Sequence, residues 1–266
     1  MDIGDPIDFS GRAVIVTGGT KGIGATIARA FLAAGAQVLV CGRGEPPEPP
    51  RSGDRRALFH PADLRDPAAA GELADLAVER FGRLDVLVNN AGGSPDADAA
   101  TVSPRFVEKI VALNLLAPFS MAQAANRVMR EQRTGGSIVN IGSVSAHHPQ
   151  PGTAAYSAAK AGLLALTRAL ALEWAPRVRV NHITTGPVRT ESAASVYGAD
   201  EGAALAGVIP MHRMAVPDDV AHACLYLAGD LARYVNGADL AVHGGGEVPA
   251  RFLALRGDRD DSFSSS

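Results

Sequence analysis

Three residues in the middle of the chain have the types and spacing for proton transfer. Tyr156 stands four residues before Lys160, and Ser143 thirteen residues before the tyrosine. Lys160 is one of only three lysines, arginine supplying the other cationic side chains, so this lysine suggests a demand that a guanidinium would not meet. If the 156–160 stretch is helical, both side chains lie on one face about a turn apart, and the ammonium favours phenolate. A tyrosine of ordinary pKa, about 10, is a poor acid or base near neutrality. Lowering it by about 3 units takes roughly 4 kcal/mol, which one charge at about 4 Å supplies at an effective dielectric near 20. Surface helices also carry such pairs, so the reading depends on what surrounds this one.

Those surroundings alternate short β-rich runs with longer helical patterns, the rhythm of an α/β chain whose parallel sheet carries helices on both faces. Seven strands are expected: Ala13 to Thr17, Gln37 to Arg43, Ala57 to Pro61, Leu84 to Asn89, Ser137 to Gly142, Val178 to Thr184 and Asp239 to Val242. Several are unbroken apolar runs, as buried parallel strands are. Helices are expected at Gly22 to Ala34, Pro67 to Phe81, Pro104 to Arg133, Thr153 to Trp174 and Pro217 to Ala228. The alternation has no break, which reads as one domain over residues 1–256. Four prolines in Gly44 to Gly53 predict a surface loop, and the polar Gly257 to Ser266 stretch predicts a disordered tail.

A chain of 266 residues, 47% hydrophobic and 20% charged, buries a full core. Its formal charge of −3 and few aromatics argue against a nucleic-acid partner. Neither an apolar leader within Met1 to Ser10 nor an apolar run of membrane-spanning length is visible, so no membrane partner and a cytoplasmic location are expected. Cys41 and Cys224 fall in an expected strand and helix and read as free buried thiols; no metal site is expected.

Thr17-Gly-Gly-Thr-Lys-Gly-Ile-Gly24 follows the first strand and opens the first helix, the setting in which a glycine loop reads as a dinucleotide site. Gly18, Gly22 and Gly24 clear the side chains that would keep a pyrophosphate from the helix N-terminus. Asn89-Asn-Ala-Gly92 ends the fourth strand at the same sheet edge, where ligands bind in open α/β folds.

Together these residues resemble the short-chain dehydrogenase/reductase family, from about Phe9 to Gly246. The glycine loop is similar to that family's Thr-Gly-x-x-x-Gly-x-Gly, Asn89 to Gly92 to its Asn-Asn-Ala-Gly, and Asn114, Ser143, Tyr156 and Lys160 to its four catalytic residues. The resemblance implies a Rossmann-type doubly wound domain that moves a hydride between NAD(P)(H) and a carbonyl or secondary alcohol. Tyr156 would exchange a proton with the substrate oxygen, Ser143 would hydrogen-bond that oxygen, Lys160 would lower the tyrosine pKa and hold the nicotinamide ribose, and Asn114 would position a relay water. It further implies cofactor contacts from Gly18, Thr20, Lys21, Gly22, Ile23, Gly24, Arg43, Asp63, Leu64, Asn90, Ala91, Gly92, Tyr156, Lys160, Gly186, Val188 and Thr190. Asp63 would contact adenine, or else cap the next helix. A homotetramer, or a homodimer, is implied through the Pro104 to Arg133 and Thr153 to Trp174 helices.

An acid at the end of the second strand would bond the ribose of NAD and repel a 2′-phosphate. Gly42 and Arg43 stand there instead, with Lys21 nearby, so NADP(H) is expected over NAD(H), Glu45 being the counterargument. Thr185-Gly186 replaces the family's Pro-Gly, which is expected to loosen that strand exit, and His243 replaces its aspartate near the last strand. Substrate contacts are expected from the loops Gly93 to Asp98, Val144 to Thr153 and Thr190 to Met214. His147 and His148 lie within reach of a substrate there, although a loop rich in proline and histidine accounts for them as well. Arg127, Arg130 and Arg133 recur every three residues, a face that would suit an acidic carrier protein and a 3-oxoacyl reductase, or simply water. A non-catalytic nucleotide sensor or scaffold is the rival from another class. Sugar epimerases and dehydratases need a larger substrate segment than this chain provides.

Overall fold

The computed structural model describes residues 7–191, 197–198, 200 and 202–246. One seven-stranded, wholly parallel sheet organises them: β1 (Ala13–Thr17), β2 (Gln37–Gly42), β5 (Leu58–Pro61), β6 (Val86–Asn89), β7 (Gly136–Ile141), β8 (Val178–Thr185) and β9 (Asp239–Val242), in the order β5-β2-β1-β6-β7-β8-β9. The order reverses between β1 and β6, and their carboxyl ends open a crevice there, the position where such folds take ligands. β1 is buried at every position, as its run Ala-Val-Ile-Val-Thr requires.

Helices α1 (Gly22–Ala33), α2 (Ala68–Phe81), α3 (Pro104–Val111), α4 (Ala117–Met129), α5 (Ala154–Trp174), α6 (Ala203–Val208) and α7 (Pro217–Ala228) accompany it. Phe31 and Ile27 of α1 pack with Val220 and Leu227 of α7 on one face of the sheet. On the other face Leu73, Met121 and Leu170 pack against Ile138 and Leu87. Burial of each such side chain contributes about 1.5–3 kcal/mol.

Three expectations need correction. The helix expected over Pro104 to Arg133 is divided by a π-helical segment, Ala112–Leu116, and ends at Met129, where the chain turns through Gly135 (φ +66°) into β7. The proline-rich loop ends in a small hairpin, β3 (Arg51–Ser52) with β4 (Arg55–Arg56), turning at Gly53 beyond the prolines. β8 runs one residue longer than expected, through Thr185, which pairs with Val242. Both cysteines are free and buried, with thiols pushed up by burial, Cys41 to about 11. The expected tail, Gly257 to Ser266, lies outside the described residues.

Candidate active site

The turn from β1 into α1 is shaped by glycines that have no room for a side chain. Gly18 and Gly22 hold φ of +61° and +53°, a region costly for other residues, and a Cβ on Gly24 would stand 2.3 Å from the Gly18 carbonyl oxygen. Gly19, which the motif reading passed over, has Val40 Cγ1 2.6 Å from where its Cβ would be. Asn90 braces this turn. Its Nδ2 donates to the Thr17 carbonyl (2.9 Å), while Thr17 Oγ1 accepts from the Asn90 and Ala91 amides (2.9 and 3.0 Å). Thr190, far along the chain, packs near Gly22, its Cγ2 3.6 Å from where that glycine's Cβ would be.

A cavity of about 1110 Å³ opens over the turn. Gly18, Thr20, Lys21, Gly22, Ile23, Gly24, Arg43, Asp63, Leu64, Asn90, Ala91, Gly92 and Thr190 all line it, so one surface gathers most of the residues expected to touch a cofactor. Five cationic side chains, Lys21, Arg29, Arg43, Arg65 and Lys109, face two carboxylates, Asp63 and Glu191. This positive lining belongs to a chain whose net charge is −3. Sequence reasoning missed Arg29, Arg65 and Lys109. The scarcity of lysine was a usable signal for the last, since Lys21 and Lys109 line the cavity and Lys160 lies beneath Gly92, its Nζ 3.3 Å from where a Cβ there would be. A glycine cradle at a helix N-terminus, lined with cations and apolar residues, fits an extended phosphorylated dinucleotide.

Tyr156 lies in the first turn of α5, half-buried, with Ser143 near enough to influence its phenol. Ser143 leaves β7 in extended conformation and caps the short 3-10 turn Val144–Ala146, accepting from the Ser145 amide at 3.1 Å. Lys160, 4% exposed, donates to the Ile141 carbonyl at 2.8 Å, with Nζ 5.7 Å from the Tyr156 ring centre. Asn114 sits fully buried in the π-helical segment, a local widening that often marks functional positions. Its Oδ1 accepts from the Gly93 amide (2.9 Å), and its Nδ2 donates to the Gly93 and Ile110 carbonyls (3.0 and 2.9 Å). Beneath them Asn89, Asn140 and Thr167 form a buried chain of side-chain hydrogen bonds joining β6, β7 and α5. That chain was invisible as a motif.

Electrostatically the site differs from the simple pair expected. Burial pushes the Tyr156 phenol above its ordinary value, the Ser143 hydrogen bond pulls it back, and Tyr197 adds to the rise. Lys160 Nζ gives one of its three donors to the Ile141 carbonyl, and burial lowers its own pKa to about 8.

The family model described as enoyl-(acyl carrier protein) reductase matches residues 18–247. D-threitol dehydrogenase of Mycolicibacterium smegmatis is 38% identical over 249 residues, covering 90% of this chain and 95% of its own. A crystal structure of a putative short-chain alcohol dehydrogenase from Sinorhizobium meliloti superposes with TM-score 0.82 at 35% identity, covering 90% of this chain and 98% of the other. The chain is a short-chain dehydrogenase/reductase. Its reaction is hydride transfer between a nicotinamide cofactor and a carbonyl or alcohol. A putative NAD(P)-dependent gluconate 5-dehydrogenase from Beutenbergia cavernae, whose crystal structure has NADP bound, superposes with TM-score 0.84 at 36% identity over 90% of this chain and 98% of its own. Among the described residues, no helix of this short-chain dehydrogenase/reductase is long and apolar enough to cross a membrane.

Its departures from the family pattern have structural counterparts. Thr185 does not loosen the strand exit: it extends β8, and its hydroxyl donates to the Gly142 carbonyl at 2.9 Å, directly before Ser143. Gly186 and Val188 continue this edge. Gly186 donates to the Val242 carbonyl (3.0 Å) and presses so closely on His243 that a Cβ would stand 2.9 Å from its Cα, and Val188 bridges to Ala215. His147 bonds Asp239, its Nε2 2.9 Å from Oδ2. The same carboxylate takes His182 Nδ1 at 2.8 Å and the Thr184 hydroxyl at 2.7 Å. Burial works against charge on Asp239, yet these hydrogen bonds, His182's first, hold its carboxyl well below the usual range. Asn at 239 has one acceptor where three groups now bond. Asp239→Asn is expected to cost about 1–3 kcal/mol and lower the thermal midpoint by several degrees; an unchanged melting curve in calorimetry would show the network to be idle.

Two further expectations fail on geometry. Asp63 does not cap α2: its Oδ1 accepts from the Arg65 amide and guanidinium, while Asp66 Oδ1 accepts from the Ala68 amide at 3.0 Å. The arginine face is no helical stripe: Arg133 lies beyond α4, Arg127 pairs with Asp75 (2.6 Å) and Arg130 with Glu131 (3.1 Å).

Proposed function

We propose that the enzyme uses NADP(H) in preference to NAD(H), with Tyr156 as the group that exchanges a proton with the substrate oxygen. The excess of cations over carboxylates lining the cavity, with Arg43 where an acid would select NAD, carries this reading. The dinucleotide bound in the Beutenbergia cavernae structure is NADP, which agrees with it. The bound cofactor supplies or accepts the hydride. In the reductive direction Ser143 orients the carbonyl oxygen and Tyr156 gives it a proton; in the oxidative direction Tyr156 takes the proton back. Lys160 and Asn114 hold the floor under Gly92, and the Val188 backbone and Thr190 hydroxyl would hold the carboxamide of a bound cofactor. Side-by-side fluorescence titration with NADPH and NADH is expected to show NADPH binding at least about tenfold tighter, a difference of 1.4 kcal/mol. Equal or tighter NADH binding overturns the preference.

A carrier-linked 3-oxoacyl reductase is the narrower alternative. The pairing of Arg127 and Arg130 with carboxylates leaves little of the expected docking face. A scaffold role predicts cofactor binding without turnover on any carbonyl or alcohol tried. We further propose a homotetramer through the long helices, on which Leu172 and Phe119 are exposed, with Leu116 exposed between α3 and α4.

A further inference from the structure

Ser143 sits on a short segment tied down at both ends. The first tie is at Gly142. Its amide donates to the Ile183 carbonyl at 2.7 Å, and its carbonyl accepts from the Thr185 hydroxyl at 2.9 Å. The His182 ring presses on the same residue so closely that a Cβ there would stand 2.0 Å from Cε1, an approach that only glycine permits. The second tie is at His147, which ends the 3-10 turn that Ser143 caps, its amide donating to the Val144 carbonyl at 2.9 Å.

Both ties lead to one carboxylate. Asp239 pairs in register with His182 across β8 and β9, and Thr184, two residues further on, shares that face of the sheet. Asp239 Oδ1 accepts from His182 Nδ1 at 2.8 Å and from the Thr184 hydroxyl at 2.7 Å, while Oδ2 accepts from His147 Nε2 at 2.9 Å. His147 Nε2 also lies 3.3 Å from the Thr184 hydroxyl oxygen. An ionised carboxylate only accepts, so the proton of each imidazole is placed on the nitrogen that faces Asp239. His182 is fully buried, and the side chains of Asp239 and His147 are 16% and 38% exposed. None of these side chains lines the cofactor cavity. What they share is the segment that carries Ser143.

Resting on the role given to Ser143 in the proposed reaction, we propose that His147, anchored on Asp239, is a positioning residue that sets the Ser143 hydroxyl against the substrate oxygen. Through His182 the same carboxylate backs Gly142, so the two ends of the segment are referred to one fixed point on β9. Without the His147 bond the segment is held at Gly142 alone. A serine displaced by about 1 Å loses its alignment, an error that costs up to about 10²-fold in rate. His147 needs no contact with substrate or cofactor to act in this way.

Steady-state rates test this on wild type, His147→Ala, His147→Gln, Ser143→Ala and the double alanine variant. They are taken with whichever of NADPH and NADH the wild type binds more tightly, and with the ketone it reduces fastest from a panel of short aliphatic, cyclic and aryl ketones. His147→Ala is expected to lower kcat about tenfold, with coenzyme affinity by fluorescence titration within about threefold of wild type. Melting curves matching wild type show that the variants remain folded. Glutamine carries an amide nitrogen that reaches the place of Nε2, so His147→Gln is expected to keep kcat within about threefold of wild type. Ser143→Ala is expected to lower kcat at least about a hundredfold. Adding His147→Ala to it is expected to change kcat less than about twofold, because a residue that acts through the serine hydroxyl then has nothing to position. Wild-type kcat in His147→Ala overturns the proposal, as does a glutamine variant as slow as the alanine one. A further tenfold loss in the double variant also overturns it, since His147 would then act independently of Ser143. Wild-type turnover in Ser143→Ala defeats the reading of Ser143 and the positioning with it, a result distinct from a slow Ser143→Ala beside an unaffected His147→Ala.

Discussion

Tyr156→Phe is expected to lower turnover by roughly three powers of ten, on any carbonyl the wild type reduces, while NADPH affinity stays within about threefold. Phenylalanine keeps the ring and its place in the first turn of α5 but removes the hydroxyl. Proton transfer from a positioned side chain contributes about 10²–10⁴-fold, and the substrate oxygen has Ser143 as its other hydrogen-bonding partner in the proposed reaction. In the proposed function the cofactor is held mainly elsewhere, by the glycine turn and the cations that line the cavity, which is why binding and turnover should separate. Steady-state rates and titrations on the same preparations check both halves; a variant that keeps full turnover removes Tyr156 from the chemistry.

Lys160→Met is expected to do two opposite things, abolishing most activity while raising the thermal midpoint at pH 7. Its ammonium is buried with one carbonyl partner, and burial brings its pKa from 10.5 to about 8. The folded pKa lies below the unfolded one, so between about pH 8 and 10.5 the unfolded chain binds more protons and stability rises with pH. Below pH 8 the folded protein carries the whole penalty, about 3 kcal/mol at 1.36 kcal/mol per unit. Methionine removes that penalty but leaves the Ile141 carbonyl without its donor, at a cost of about 1 kcal/mol. The net gain of about 2 kcal/mol is several degrees for a chain of this size. It should shrink as melting curves are taken from pH 7 toward pH 10. A variant that melts lower at pH 7 would mean that the lysine stabilises the fold.

Much of this was legible in the chain. Unbroken apolar runs such as Ala13 to Thr17 can satisfy both their backbone and their side chains only inside a parallel sheet, so the seven strands and their alternation with helices were written locally. Local spacing was equally informative for Tyr156 and Lys160, and for glycines whose missing side chains are required by backbone a few residues away. The cation-lined cavity was half legible: Lys21 and Arg43 lie beside recognisable motifs, whereas Arg65 and Lys109 reach the cavity from segments with no motif of their own.

What escaped the sequence was each property that depends on partners distant in the chain. Thr185 read as the loss of a rigid proline, yet parallel pairing with β9 and a bond to Gly142 make it an added tie. His147 read as a loop histidine, near a substrate or merely part of the loop, and its bond to Asp239, 92 residues on, was out of sight. Lys160 read as a cation beside Tyr156; that it also bonds the Ile141 carbonyl and is deeply buried was visible only in three dimensions. Residue types and near-neighbour spacing determined which groups this protein has for chemistry and which elements carry them. Their ionisation, their partners and the sign of the cavity's charge were decided only by tertiary structure, because electrostatic energies depend on distance and burial in space, and the sequence states neither.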